Sequence, residues 1–156
     1  MIALQTTDTV TLPFGTSALE ALLTEVLGDH GVSSDLSVVV SNDAHLHELN
    51  LEYRQVDRPT DVLSFQLDDP HHPGLDTLGE VYISIETAER QAADAGHTLE
   101  AEITHLAIHG VLHLLGYEHD TDPGHEKMRS REDEYLQTAG SLHQPSLMAS
   151  GQPKGA

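Results

Sequence analysis

The chain has 156 residues and a formal net charge of −19, from 7 lysines and arginines and 26 aspartates and glutamates. This length suits one domain with a sizeable core, which should be aliphatic because the chain has no tryptophan and only two phenylalanines. The absence of cysteine excludes disulfides, thiolate ligands and thiol nucleophiles, while the acidic balance argues against a broad basic surface for nucleic acid.

Hydrophobic patterns and turn residues predict nine secondary-structure elements. Short alternating or continuous apolar runs predict strands over residues 2–8, 36–41, 62–67 and 79–84. Apolar stripes at helical spacing predict helices over residues 18–31, 44–54, 86–95, 99–115 and 123–140. In chain order these elements predict an α+β domain, with a mixed four-stranded sheet packed with about five helices.

Local signals set the element boundaries and the expected strand directions. Gly28 and Gly31 are expected to end the first helix, and Asp122 with Pro123 to start the last one. The turn-rich loop 68–79 predicts an antiparallel pair between the third and fourth strands. The strand-helix-strand units at the start of the chain are expected to be right-handed parallel crossovers. The candidate N-caps of the first, second and fourth helices are Thr16 or Ser17, Asn42 or Asp43, and Thr98.

We expect one domain over residues 1–140 and a disordered tail over residues 141–156, which show no hydrophobic periodicity. No apolar run approaches the roughly 20 residues that a membrane helix needs. The N-terminus lacks the basic segment of a secretory signal. These features predict a cytoplasmic protein without a membrane partner.

The segment HGVLHLLGYEHD, residues 109–120, has the spacing of a catalytic metal site. His109 and His113 would project from one face of a helix. Gly116 can leave the helix through the left-handed region and carry His119 back toward both imidazoles. Three neutral imidazoles with a fourth position open are typical of catalytic zinc, although other divalent transition metals also suit them. The domain is therefore predicted to be a metal-dependent hydrolase.

The same spacing matches the ligand skeleton of the metzincin proteases, except at one position. Those enzymes need a glutamate after the first histidine as general base, and this chain has Gly110 there. Peptidase activity is therefore disfavoured, whereas the metal site is retained. Most of the other histidines are interpreted as ordinary surface or core residues, and His105 as a core residue or an orienting partner of the ligands.

Three segments resemble the YbeY endoribonuclease, or rRNA maturation factor, family. HGVLHLLGYEHD resembles its signature H-G-x-L-H-L-x-G-x-D-H, and LNLEYRQVDRPTDVLSF, residues 49–65, resembles L-N-x-x-Y-R-x-x-D-x-P-T-D-V-L-S-F. LGEVYIS resembles the family's third signature, a glycine and an acidic residue that open a strand. The likeness runs from about residue 36 to 140, and Glu118 departs from the aspartate that is usual before the third histidine.

The resemblance implies a metal-dependent, single-strand-specific endoribonuclease that acts in 16S rRNA 3′-end maturation and ribosome quality control. Its implied partners are a single-stranded rRNA precursor and the ribosome or ribosomal proteins. The implied cofactor is one zinc ion per chain, bound by His109, His113 and His119. The resemblance also implies that Arg54 is important for activity.

The residue types agree with phosphodiester cleavage. A guanidinium such as Arg54 can bind phosphate oxygens bidentately, although an arginine at a helix end also commonly satisfies backbone carbonyls. The ribose 2′-hydroxyl can act as an internal nucleophile, so the glutamate missing at residue 110 matters less for RNA. Asp120 and Glu80 are candidate general bases, each also explained as a cap or structural carboxylate. Thr60 and Asp61 are expected to order the loop beside Arg54.

Two other functions remain open from the sequence. The three histidines could serve a metal-dependent hydrolase of a peptide or small ester. Alternatively, the metal could hold the fold of a non-catalytic ribosome-associated factor, whose net charge of −19 suits basic ribosomal proteins. Catalytic turnover at an open coordination position of the metal would distinguish the enzymatic functions from the non-catalytic one.

Overall fold

The structure is a computed structural model, and it describes residues 2–7, 9–66, 77–117 and 122–143. Its strands are β1 (Ile2–Thr6), β2 (Asp35–Ser41), β3 (Val62–Gln66) and β4 (Thr77–Ser84). Its helices are α1 (Ser17–Asp29), α2 (Asp43–Arg54), α3 (Ile85–Ala95), α4 (Leu99–Leu114) and α5 (Asp122–His143). The predicted α+β class, the order of the elements and the four-stranded mixed sheet are confirmed.

The sheet has the strand order β1-β2-β4-β3. β1 and β4 both pair with β2 in parallel, and β3 pairs with β4 antiparallel, as predicted. The predicted parallel crossover from β2 through α2 to β3 is wrong. Because β4 lies between these two strands and is parallel to one and antiparallel to the other, β3 runs opposite to β2. β3 pairs with one edge of β4, so β2 pairs with the opposite edge of β4.

The main core lies on one face of the sheet and is aliphatic, as the composition predicts. Side chains of β2 and β4 that alternate toward this face form one cluster with residues of α1, α4 and α5. Helix α2 covers the opposite face, where Leu46 and Leu63 are buried. The fully buried members of the main core are Leu23, Val26, Val38, Val40, Val81, Ile83, Ala88, Ile103, Ala107, Ile108, Val111 and Leu112.

Side-chain caps explain where two of the predicted helices begin. Asn42 Oδ1 accepts from the His45 backbone N–H at 2.9 Å, and Thr98 Oγ1 accepts from the Ala101 N–H at 3.1 Å. Ser84, at the end of β4, caps α3 by accepting from the Thr87 N–H. Thr16 precedes α1 without a side-chain cap, because its hydroxyl donates to the Glu20 carboxylate.

Two helix ends differ from the prediction. Gly28 lies inside α1, which ends at Asp29, and Gly31 follows with a φ of +69°. Helix α5 continues to His143, so residues 141–143 of the predicted tail are helical. Residues 144–156 lie outside the described part of the chain. Among the helices of the described residues, none combines the length and the apolar character that a membrane span requires.

Asp43 fixes helix α2 against helix α3. Its Oδ1 accepts from the hydroxyls of Ser84 (2.5 Å) and Thr87 (2.6 Å), and its Oδ2 accepts from Arg90 at 3.0 Å. Burial raises the pKa of Asp43, but these hydrogen bonds and the Arg90 charge outweigh burial and lower it. The charged carboxylate therefore anchors the N-terminus of α2, the helix that ends at Arg54.

Candidate functional site

The histidines of α4 lie along one flank of an otherwise buried helix. Between Glu102 and Leu114, the side chains that remain partly exposed are those of His105, His109 and His113. The rings of His109 and His113 have centroids 4.8 Å apart and meet edge to face at 81°. The structure thus brings two of the three predicted ligands together on one helix face.

The carboxylate of Glu132, on α5, accepts hydrogen bonds from two of these histidines. His109 donates from Nδ1 to Glu132 Oε2 at 2.6 Å, and His105 donates from Nε2 to Oε1 at 3.1 Å. Burial raises the pKa of Glu132, but hydrogen bonds from the two imidazoles outweigh burial and lower it to about 2. The carboxylate is therefore charged near neutral pH. Because Nδ1 carries the proton, Nε2 is the nitrogen of the neutral His109 ring that can ligate a metal.

Glu132 is a candidate site residue that the sequence analysis missed. Met128 and Tyr135 of α5 are buried in the core, and Glu132 lies between them on the same helical stripe. A carboxylate on an apolar stripe needs a buried partner, and this signal could have drawn attention to it. His105 shares the carboxylate with His109, which agrees with its interpretation as an orienting partner rather than a ligand.

The chain leaves α4 by the predicted glycine turn. Gly116 has a φ of +101°, and the backbone N–H of Tyr117 donates to the Leu112 carbonyl at 3.0 Å. The Tyr117 hydroxyl donates to His30 Nε2 at 2.8 Å and accepts from Arg131 Nε at 3.2 Å. Helices α1 and α5 therefore fix the point from which the chain runs on toward His119.

The third predicted ligand lies outside the described residues. His119, together with Glu118 and Asp120, falls in the gap at residues 118–121. Within the described ranges, no group of three or more His, Asp or Glu side chains is arranged to hold a metal ion. The structure thus places His109 and His113 together and orients the His109 ring. The set of three histidine ligands stays a prediction.

Gly110 lies where α4 touches the sheet. A Cβ at this position would approach Val81 Cγ1 to 2.6 Å and Ser64 Oγ to 3.0 Å. Ser64 also donates from its hydroxyl to the Gly110 carbonyl at 2.9 Å. Position 110, which carries the general base in the metzincin skeleton, therefore faces β3 and β4 and has no room for a glutamate.

Gly110→Ala should destabilise the protein by about 1–3 kcal/mol, because its methyl group overpacks the contact with fully buried Val81. Helix propensity alone would predict stabilisation by roughly 0.8–1.0 kcal/mol. Urea unfolding measures the difference. Gly28→Ala is the matched control, since a Cβ on that helical glycine meets nothing within 4 Å. Equal or higher stability of Gly110→Ala would show that α4 can shift on the sheet without cost.

Arg54 is the last residue of α2, and its side chain is exposed. It makes no hydrogen bond or ion pair with any described residue, so it does not cap the carbonyls of its own helix there. Tyr82 and Phe65 contact α2 residues, whereas their strand neighbours Val81 and Ser64 face Gly110. Helix α2 therefore lies on the opposite sheet face from α4, and no described contact joins Arg54 to the histidines.

The loop after Arg54 is ordered by its own side chains, as expected. Asp61 Oδ1 accepts from the Val62 backbone N–H at 2.8 Å and from the Thr60 hydroxyl at 3.4 Å. Asn50 donates from Nδ2 to the Arg58 carbonyl at 2.8 Å. Glu80 lies on the α2 face of the sheet and accepts from the Tyr82 hydroxyl at 3.1 Å, which favours its structural interpretation over the role of general base.

Comparisons with known proteins identify the family that this chain resembles. The sequence profile of the family described as endoribonuclease YbeY matches residues 4–140. The endoribonuclease YbeY of Desulfitobacterium hafniense is 45% identical over 116 residues, which cover 70% of this chain and 74% of that protein. The Pelotomaculum thermopropionicum protein of the same name is 44% identical over 76% of this chain and 85% of its own length.

One solved structure has the same fold over nearly the whole chain. The solution structure of TM1509 from Thermotoga maritima superposes with a TM-score of 0.66 and 28% identity, and covers 98% of both chains. The family profile spans the sheet, the histidine helix α4 and most of α5. The chain therefore belongs to the endoribonuclease YbeY family.

Proposed function

We propose that this endoribonuclease cuts single-stranded RNA at a zinc site formed by His109, His113 and His119. The observation that carries the proposal is the ring pair of His109 and His113, 4.8 Å apart on the partly exposed flank of α4. A neutral imidazole oriented by a carboxylate on its other nitrogen is the usual form of a histidine that ligates a metal. Glu132 supplies this hydrogen bond to His109.

The described donors fit a divalent transition metal. Imidazole nitrogens suit zinc, and the chain has no cysteine that would favour a closed thiolate site. When bound, such an ion supplies Lewis-acid polarisation of a phosphate oxygen. The protein's own contribution is orientation, because the buried carboxylate of Glu132 fixes the His109 ring and the Tyr117 hydrogen bonds fix the exit from α4.

Arg54 is proposed to bind a phosphate group of the RNA substrate on the α2 face of the sheet. Its guanidinium is exposed and has no hydrogen bond or ion pair with the described residues, so its donors are available to phosphate oxygens. The ribose 2′-hydroxyl is proposed as the internal nucleophile. Its oxygen bonds to phosphorus while the P–O5′ bond breaks, and its proton passes by way of solvent to the leaving 5′-oxygen, so the products are a 2′,3′-cyclic phosphate and a 5′-hydroxyl end. This chemistry does not require a glutamate at residue 110.

The proposed biological role is maturation of the 16S rRNA 3′ end and ribosome quality control in the cytoplasm. A chain with a net charge of −19 is repelled by RNA except near its few cations. The same charge attracts basic ribosomal proteins, which could guide the enzyme to its cleavage site. We therefore propose the ribosome as a partner as well as the source of the substrate.

Cleavage of labelled RNA by protein of known metal content tests the proposal. The single-stranded form should be cut and the same sequence in a perfect duplex should not. Chelation should abolish cleavage, and added Zn²⁺ should restore it. Cleavage that persists after complete metal removal, or equal cleavage of both RNA forms, would contradict the proposal.

A further inference from the structure

An exposed aromatic residue stands beside Arg54. The Tyr53 side chain is 58% exposed, although the sequence pattern groups it with the apolar side of α2. Its ring lies 5.3 Å from that of Phe65 at an angle of 64°, and Phe65 in turn contacts Tyr82 at 5.8 Å. The chain has four tyrosines and two phenylalanines, and three of these six residues form this aromatic cluster of Tyr53, Phe65 and Tyr82.

The cluster is held in place from both sides. His45 of α2 meets the Tyr82 ring edge to face at 5.6 Å, and the Tyr82 hydroxyl donates to Glu80. Phe65 and Tyr82 are partly buried on neighbouring strands, so they support Tyr53 without covering it. Tyr53 therefore presents an open ring on a fixed base, which costs little conformational entropy when a planar ligand stacks on it.

Two arginines that follow Tyr53 closely in the chain are available to an anion. Arg54 and Arg58 are both exposed, and neither forms an ion pair with a described residue. By contrast, Arg90 binds Asp43 at 3.0 Å and Arg131 lies 3.5 Å from Glu134. Asp57, the carboxylate between the two arginines in sequence, hydrogen-bonds His47 at 2.7 Å. A fixed aromatic ring combined with available guanidiniums is the combination with which proteins bind single-stranded nucleic acid.

The sheet connects this surface with the histidine helix. β3 is one of the two edge strands in the order β1-β2-β4-β3, and it carries Phe65 on its α2 face. Ser64, the preceding residue on the same strand, faces α4 and hydrogen-bonds Gly110, which follows His109 in the chain. A strand of RNA that passes around β3 would thus meet Tyr53 on one side of the sheet and α4 on the other.

We propose that Tyr53 is a stacking platform for one unpaired base of the RNA substrate, with Arg54 and Arg58 on the flanking phosphates. The inference rests on the proposed function and deepens it. A base within a duplex is already stacked on both faces and cannot stack on Tyr53, so the platform selects single strands. Stacking needs only a π face, so the selection is tolerant of base identity.

Equilibrium binding of a labelled, 2′-O-methylated single-stranded 12-nucleotide RNA, which lacks the proposed nucleophile and is therefore not cut, to the full metal-loaded chain tests this platform. Tyr53→Leu should weaken binding about 5- to 100-fold, the range expected for losing one base–aromatic stack. Tyr53→Phe keeps the ring and should stay within about twofold of the native affinity. Leu51→Ala is the matched control, because Leu51 is the other exposed large apolar residue described on α2, at 49%.

An abasic scan separates stacking from a general effect on structure. Removing one base from the RNA should weaken binding to the native protein at one position and leave the affinity of Tyr53→Leu unchanged there. Equal affinities of the native, Leu and Phe variants overturn the platform. So does an abasic penalty that persists in Tyr53→Leu, which would assign the exposed ring to a protein contact.

The two proposals fail in different ways. If the native protein cuts RNA while Tyr53→Leu has unchanged affinity and KM, the platform is wrong and the endoribonuclease proposal stands. If the native protein neither binds nor cuts single-stranded RNA, both proposals fail.

Discussion

His113→Ala is expected to lose tight metal binding and, with it, RNA cleavage. The His113 ring lies 4.8 Å from that of His109 on the exposed flank of α4, and its removal leaves at most two of the three proposed imidazoles. Because a coordinating set of two histidines no longer encloses the ion, the purified variant should contain almost no metal. Metal analysis of the dialysed protein and cleavage of labelled RNA measure both losses.

Two further variants make this result specific. Glu132→Gln keeps every histidine but removes the charge that orients His109, so metal affinity should fall about 10- to 100-fold rather than vanish. His125→Ala removes an exposed histidine of α5 and should keep native metal content and activity. Undiminished metal content in His113→Ala would refute its assignment as a ligand. Undiminished cleavage there would point to a contaminating nuclease.

Arg54→Ala is expected to keep its metal and its fold but lower kcat/KM for RNA cleavage by about 10- to 100-fold, the loss expected when a charge-assisted contact to a substrate phosphate is removed. The Arg54 side chain has no hydrogen bond with the described residues, so truncation should cost little stability. Single-turnover cleavage, metal analysis and urea unfolding measure the three properties on one preparation.

Arg54→Lys tests whether charge alone is sufficient. Lysine keeps the positive charge but cannot form the paired parallel hydrogen bonds of a guanidinium, so it should recover only part of the activity. Arg129→Ala, which removes an exposed arginine of α5, controls for net charge. Loss of folding in Arg54→Ala would instead assign this residue a structural role at the end of α2.

The sequence predicted elements best where local chemistry decides them. Asn42 and Thr98 are capping residues by side-chain type, and both cap the helices for which they were proposed. Gly116 adopts the left-handed conformation that its position after the second histidine indicated. Helical spacing alone was sufficient to place His109 and His113 side by side, because four residues make about one turn.

Local sequence patterns could not predict contacts between segments that are far apart in the chain. Glu132 lies 23 residues after His109, and only the packing of α5 against α4 brings its carboxylate to the imidazole. The same limit explains why the predicted parallel crossover from β2 to β3 is wrong. Which strands pair is decided by contacts between segments that are far apart in the chain. Tyr53 belongs to the apolar side of α2 by helical spacing, yet α2 ends beside the edge strand β3, which leaves the ring exposed.

The sequence by itself determined the family, the α+β class and the side-by-side placement of His109 and His113, since these depend on residue identity and short spacing. Only the tertiary structure decided that Gly110 is a packing contact, that Glu132 orients His109, and that Tyr53 and Arg54 lie across the sheet from α4. The physical reason is the distance along the chain that separates the residues in each kind of contact. Caps and helix faces form within about one turn of chain, whereas burial, charge pairing and exposure depend on residues that folding brings together.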